Sequence, residues 1–108
     1  IDAVHFARSA TTLEEIAEVD PKLIHYVQFC DASADYERTT EALIHTARAE
    51  RLMPGDGDID LLSLLKAVPN DLVLSLEVPQ KERSKTVAAK QRAAEAIGKM
   101  KMLIAQAA

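Results

Sequence analysis

The chain has 108 residues, 48% of them hydrophobic and 28% charged, with a formal net charge of −4 at pH 7. That is enough for one ordinary domain, too apolar for disorder, and of the wrong sign for a nucleic-acid surface. No apolar run reaches the ~18 residues of a membrane span and none reads as a signal peptide. The single cysteine, Cys30, excludes an internal disulfide and suits a reducing cytoplasm.

In chain order, residues 1–6, "IDAVHF", read as the tail of a strand that delivers Asp2 and His5. "TTLEEIAEVD" reads as a helix. Thr11 and Thr12 each have a glutamate three residues on, which gives two overlapping capping-box registers, and Pro21 is the stop signal. "KLIHYVQFCDA" follows with Ile24, Tyr26, Val27 and Phe29, the pattern of a strand buried on both faces. Residues 36–49 carry Tyr36, Leu43, Ile44 and Ala47 at helical spacing. "RLMPGDGDID" is rich in turn formers, and Asp60 is placed to cap the short helix "LLSLLKAV". "DLVLSLEVP" reads as a third buried strand ending in Glu77. Residues 81–106 read as one long amphipathic helix, with Ala89, Ala93, Ile97, Met100 and Ile104 on its apolar face. Its lysines and arginines read as a solvated face.

Alternating strands and helices imply a mixed α/β fold with parallel pairing through crossovers. In such folds chemistry gathers at the C-terminal ends of the strands. Those ends carry Asp2 and His5, then Gln28 and Asp31, then Glu77. Parity sets Tyr26, Gln28 and Cys30 on one face of the second strand and Val27 and Phe29 on the other. In the third it sets Ser75 and Glu77 opposite Leu72, Leu74 and Leu76. Two carboxylates and an amide oxygen make a hard-oxygen site suited to Mg²⁺ or Mn²⁺ and, less selectively, Co²⁺ or Zn²⁺. The alternative left open by pattern alone is that these are ordinary polar residues at strand ends.

Four blocks in order, "DAVHF", "YVQFCDA", "RLMPGDGDID" and "LSLEVP", resemble the C-terminal part of the sugar phosphate isomerase/epimerase family, the xylose-isomerase-like (β/α)₈ TIM barrels. The resemblance runs through nearly the whole chain and implies that residues 1–108 are a partial barrel domain. They would be its last three β/α units, with the N-terminal strands missing, since such barrels have ~250 residues. It implies metal ligands at Asp2, Gln28 and Glu77, with Glu77 also the catalytic base, and substrate contacts from His5 and Arg51; Asp31 reads either as a further substrate contact or as a cap of the following loop. The implied reaction is divalent-metal-dependent isomerisation or epimerisation of a sugar or sugar phosphate, by removal of a carbon-bound proton beside a metal-polarised carbonyl.

Glutamine at position 28, where many members carry histidine, resembles a dehydratase-type branch acting on 3-dehydroshikimate or an inosose, and that is the alternative chemistry. A non-catalytic barrel or inactive fragment is the alternative outside enzymes. The implied partner is a small sugar or polyhydroxy acid, with no nucleic acid and no membrane. Exposed strand edges make a homo-oligomer the further expectation.

Overall fold

A computed structural model describes residues 1–108. Helix α1 (Ala3–Ala7) is followed by α2 (Leu13–Glu18), a 3₁₀ turn at Pro21–Leu23, strand β1 (Tyr26–Phe29), α3 (Thr40–Ala49), α4 (Leu61–Ala67), strand β2 (Val73–Leu76), a 3₁₀ turn at Arg83–Lys85 and α5 (Ala89–Ala107). β1 and β2 pair in parallel, Tyr26 opposite Val73 and Gln28 opposite Ser75. Asp2 forms a parallel bridge with Gln28 on the other side of β1, where the Gln28 N–H donates to the Ile1 carbonyl at 2.8 Å. The result is a mixed α/β fold with parallel strands, two in number apart from that bridge.

The helix starts follow from local chemistry. Thr12 and Glu15 form the capping box of α2, so of the two registers the later one is used. Thr39 caps α3 by accepting from the Ala42 N–H, and Asp60 caps α4 by accepting from the Ser63 N–H. The Ser63 bonds hold the Asp60 carboxyl below the ordinary aspartate range.

The core lies on one face of the sheet. Val27 and Phe29 are fully buried there with Val4, Leu61 and Leu64, and Leu72, Leu74 and Leu76 pack against them. Those alternating positions are the ones parity assigns to the helix side. The opposite face is open: Tyr26 is 50% exposed and Val73 68%. The strands are therefore buried on one face rather than on both, because helices cover only one.

Two elements differ from their sequence reading. Residues 1–6 are not a strand tail. Only Ile1 and Asp2 extend along β1, and then Asp2 Oδ1 accepts from the Val4 and His5 N–H groups and starts α1. His5 thus sits on the first turn of a helix. The long C-terminal helix begins at Ala89 instead of near residue 81, because the preceding segment is tied to other elements. Gln80 bridges to Glu50, the Lys81 N–H donates to the Ala49 carbonyl, and Arg83 pairs with Glu95. The inward face of α5 is Ala96, Met100 and Leu103, whereas Ile97 and Ile104 are exposed. No helix is long and apolar enough to cross a membrane.

Candidate functional site at the strand ends

The C-terminal ends of β1 and β2 converge where residues 50–52 cross them. Asp31 and Leu52 form an antiparallel bridge through a 2.8 Å and a 2.9 Å hydrogen bond. The Arg51 N–H donates to the Pro79 carbonyl at 2.9 Å, and the Gln80 amide donates to the Arg51 carbonyl at 3.1 Å. This strap fixes the Arg51 backbone between the two strand ends.

The Arg51 side chain then runs inward and is 4% exposed. Its Nε donates to the Ala47 carbonyl at 2.8 Å and its Nη1 to Asp2 Oδ2 at 2.7 Å. The same Nη1 lies 3.5 Å from the Glu77 carbonyl oxygen and 3.6 Å from Cys30 Sγ. Burial alone would make Arg51 a weaker base for its proton. Hydrogen bonding to Asp2 and the charges of Cys30 and Asp2 outweigh it and raise the guanidinium pKa. Burial likewise pushes the Cys30 thiol above its ordinary value, with the Arg51 cation opposing.

Gln28 and Glu77 meet on the open side of the sheet, where the Gln28 amide donates to Glu77 Oε2. Asp2 is next to Gln28 through the parallel bridge. The three residues expected to ligate a metal therefore lie side by side on adjacent chain segments. His5 and Glu77 line a cleft of about 700 Å³ together with Arg8, Thr46, Arg48 and Arg51. That volume lies within the range of small-molecule sites.

Asp31 does not join this group. It is 1% exposed, and its oxygens accept from the Ala32, Gly55 and Ile59 N–H groups at 2.9, 3.0 and 3.0 Å. It orders the Pro54–Gly57 loop instead of facing a substrate. Gly55 adopts φ +91°, which favours glycine, and a Cβ on Gly57 would stand 2.5 Å from Asp31 Oδ1. The Pro-Gly-Asp-Gly run is therefore a cradle for a buried carboxylate. Arg8 and Arg48, which the sequence reading passed over, line the cleft. A sequence signal exists for Arg8 alone, which lies three residues after His5, one turn on along α1 to its C-cap.

No three histidine, cysteine, aspartate or glutamate side chains gather in a group able to hold a metal ion. The donors the strand ends do bring together are two carboxylates and an amide, the hard-oxygen set a divalent cation takes. Asp2 is shared with the α1 N-terminus and with Arg51, so the guanidinium already offsets one of the two negative charges. Gln28 and Glu77 bond chiefly to each other. The set fits a divalent cation in donor type, while both Asp2 oxygens are already engaged, Oδ1 by the α1 N–H groups and Oδ2 by Arg51.

No family model matches the chain, and no curated protein matches it. A solved structure of IOLI protein with a binding zinc atom is similar to it, at 28% sequence identity and a TM-score of 0.63. The match covers 99% of this chain and 36% of that one, so the chain spans little more than a third of the length of its solved neighbour. The matched region takes in both strands, the strap and α5.

Proposed function

We propose that the chain is part of a (β/α)₈ barrel enzyme that isomerises or epimerises a sugar or sugar phosphate. The observation that carries this reading is the adjacency of Asp2, Gln28 and Glu77 at neighbouring parallel strand ends, beside a cleft large enough for a sugar or sugar phosphate. The zinc in the similar structure supports a divalent cation as cofactor. Asp2, Gln28 and Glu77 would hold it, and it would supply the positive charge that polarises a substrate carbonyl.

Within that site Glu77 takes the proton. Its Oε2 accepts from the Gln28 amide, which positions the carboxylate and leaves Oε1 for a carbon-bound hydrogen, and the residue lines the cleft. His5 stands on the first turn of α1 at the cleft wall, where it can orient a substrate hydroxyl. Arg51 acts from beneath. It fixes Asp2 and ties both strand ends through the strap, instead of reaching a substrate directly.

The test is turnover of ketohexoses and their phosphates by the full-length protein with added Mn²⁺, Co²⁺ or Zn²⁺. Glu77→Gln should lower kcat by at least about 10²-fold, the usual contribution of a positioned base, with the fold retained. Undiminished turnover in that variant, or no divalent ion bound by the native protein, would overturn the reading.

A further inference from the structure

The cleft carries a charge opposite to that of the molecule as a whole. The chain is formally −4, yet three guanidinium groups and one imidazole line this cavity and face a single carboxylate, Glu77. Arg51 is committed to Asp2. The other two arginines are not. Arg8 is stacked on the Tyr36 ring, 3.5 Å from its centroid, and its Nη2 donates to the Ser33 carbonyl at 2.9 Å. Its Nε is buried without a hydrogen-bond partner and its Nη1 makes no bond within the chain. Arg48, in the last turn of α3, is exposed and makes no hydrogen bond or ion pair within the chain. Its place near a helix C-terminus is favourable for a cation and accounts for its being basic, but does not satisfy its five donors.

We infer that Arg8 and Arg48 form an oxyanion subsite at the wall of this cleft, which selects substrates carrying a carboxylate or phosphate in addition to the polyol. This deepens the proposed function and rests on it for the identity of the reacting end. A guanidinium fork recognises either oxyanion through paired, charge-assisted bonds. Arg8 is preorganised for that role, because stacking on Tyr36 and the Ser33 bond fix its plane before a ligand arrives. Arg48 lines the same cleft from the last turn of α3. A neutral ligand would leave both cations unanswered in the cavity. A single anionic group answers them and leaves Glu77 free for the proton at the other end.

The experiment is calorimetric titration of the full chain with fructose, fructose 6-phosphate and glucuronate. Both anionic ligands should bind roughly tenfold or more tightly than fructose, a preference that shrinks as salt rises. Arg48→Gln, on an exposed side chain, should remove most of that preference without disturbing the fold, Arg48→Lys should restore part of it, and Arg8→Gln should act like Arg48→Gln. Glu77→Gln should keep the anion preference while losing turnover. A preference confined to fructose 6-phosphate or to glucuronate supports the subsite and identifies the oxyanion as phosphate or carboxylate. Equal binding of all three ligands, or a preference untouched by both Arg48→Gln and Arg8→Gln, would overturn the subsite while leaving the polyol reading intact. If none of the three binds, both readings fall.

Discussion

Arg51 Nη1 and Asp2 Oδ2 stand 2.7 Å apart across 49 residues of sequence, with the two side chains only 4% and 11% exposed. A pair this far from water is costly to break from one side, because the remaining charge keeps its burial and loses its partner. Arg51→Met should therefore destabilise the fold by about 3–5 kcal/mol. Asp2→Asn isolates the charge effect, since asparagine still caps α1. Together the two substitutions should cost clearly less than the sum of their separate effects, the mark of a direct interaction. Urea denaturation of the two single variants and the double variant measures this, and strict additivity would mean the residues do not sense each other.

The Asp31 carboxylate and Gly57 make a second long-range lock. Gly57→Ala would drive a methyl to 2.5 Å from Asp31 Oδ1 and 2.6 Å from the Ala32 carbonyl, where two backbone groups leave no flexible atom to yield. The expected cost is about 1–3 kcal/mol or more, as for other overpacked sites. Asp31→Ala would leave the Ala32, Gly55 and Ile59 N–H groups without their acceptor, each unpaired donor costing about 1–3 kcal/mol where water cannot reach it. If Asp31 orders the loop, both variants lose stability, and the fraction that remains folded keeps its substrate KM. A raised KM in folded Asp31→Asn protein would instead return this residue to the substrate.

Features written in short-range chemistry are legible in the sequence. The Thr12–Glu15 box and the Asp60 cap need only neighbours three residues away. The inward set Val27, Phe29, Leu74 and Leu76 follows from a period of two. What sequence does not reveal is set by residues dozens of positions apart. The first residues look like a strand because "IDAVHF" is apolar, yet Asp2 is also a good helix cap, and the cap wins after one bridge to Gln28. Nothing within residues 81–88 forbids helix. Their ties to Ala49, Glu50 and Glu95 delay it. The side-by-side placement of Asp2, Gln28 and Glu77 follows from parallel order, which alternation implies. That Arg51 lies beneath Asp2, and Asp31 beneath the Pro-Gly loop, depends on the strap, and no local signal announces that crossing.

Gln28 offers a direct test of whether the strand-end donors share an ion. Its amide touches Glu77 and its backbone pairs with Asp2, so residue 28 is the middle of the proposed set. Imidazole is a better zinc donor than a neutral amide oxygen. Gln28→His should therefore tighten binding of Zn²⁺ alone, by roughly tenfold for about 1.4 kcal/mol of added donor strength. It should do so more for Zn²⁺ than for Mg²⁺, which keeps its preference for oxygen. Titration calorimetry with each ion separates the cases. If Zn²⁺ affinity does not change, or if Glu77→Gln leaves it as it was, residues 28 and 77 do not bind the ion together.

Cys30 gives the stability of this region a pH dependence of known sign. Burial raises the thiol pKa in the folded chain, and the Arg51 cation and hydrogen bond pull it back only in part. In the unfolded chain a cysteine titrates near about 8.5. The folded state therefore holds its proton more tightly, so this contribution is complete below about pH 8.5 and is lost as pH rises through the higher folded value. Stability by urea denaturation should fall with increasing pH in that alkaline window, and Cys30→Ala should remove this component of the slope. The buried thiol should react with a disulfide reagent at pH 8 far more slowly than in denaturant, because both access and thiolate fraction are small. Rapid labelling of the native protein would mean that Cys30 is a low-pKa thiolate stabilised by Arg51, with the guanidinium charge outweighing burial.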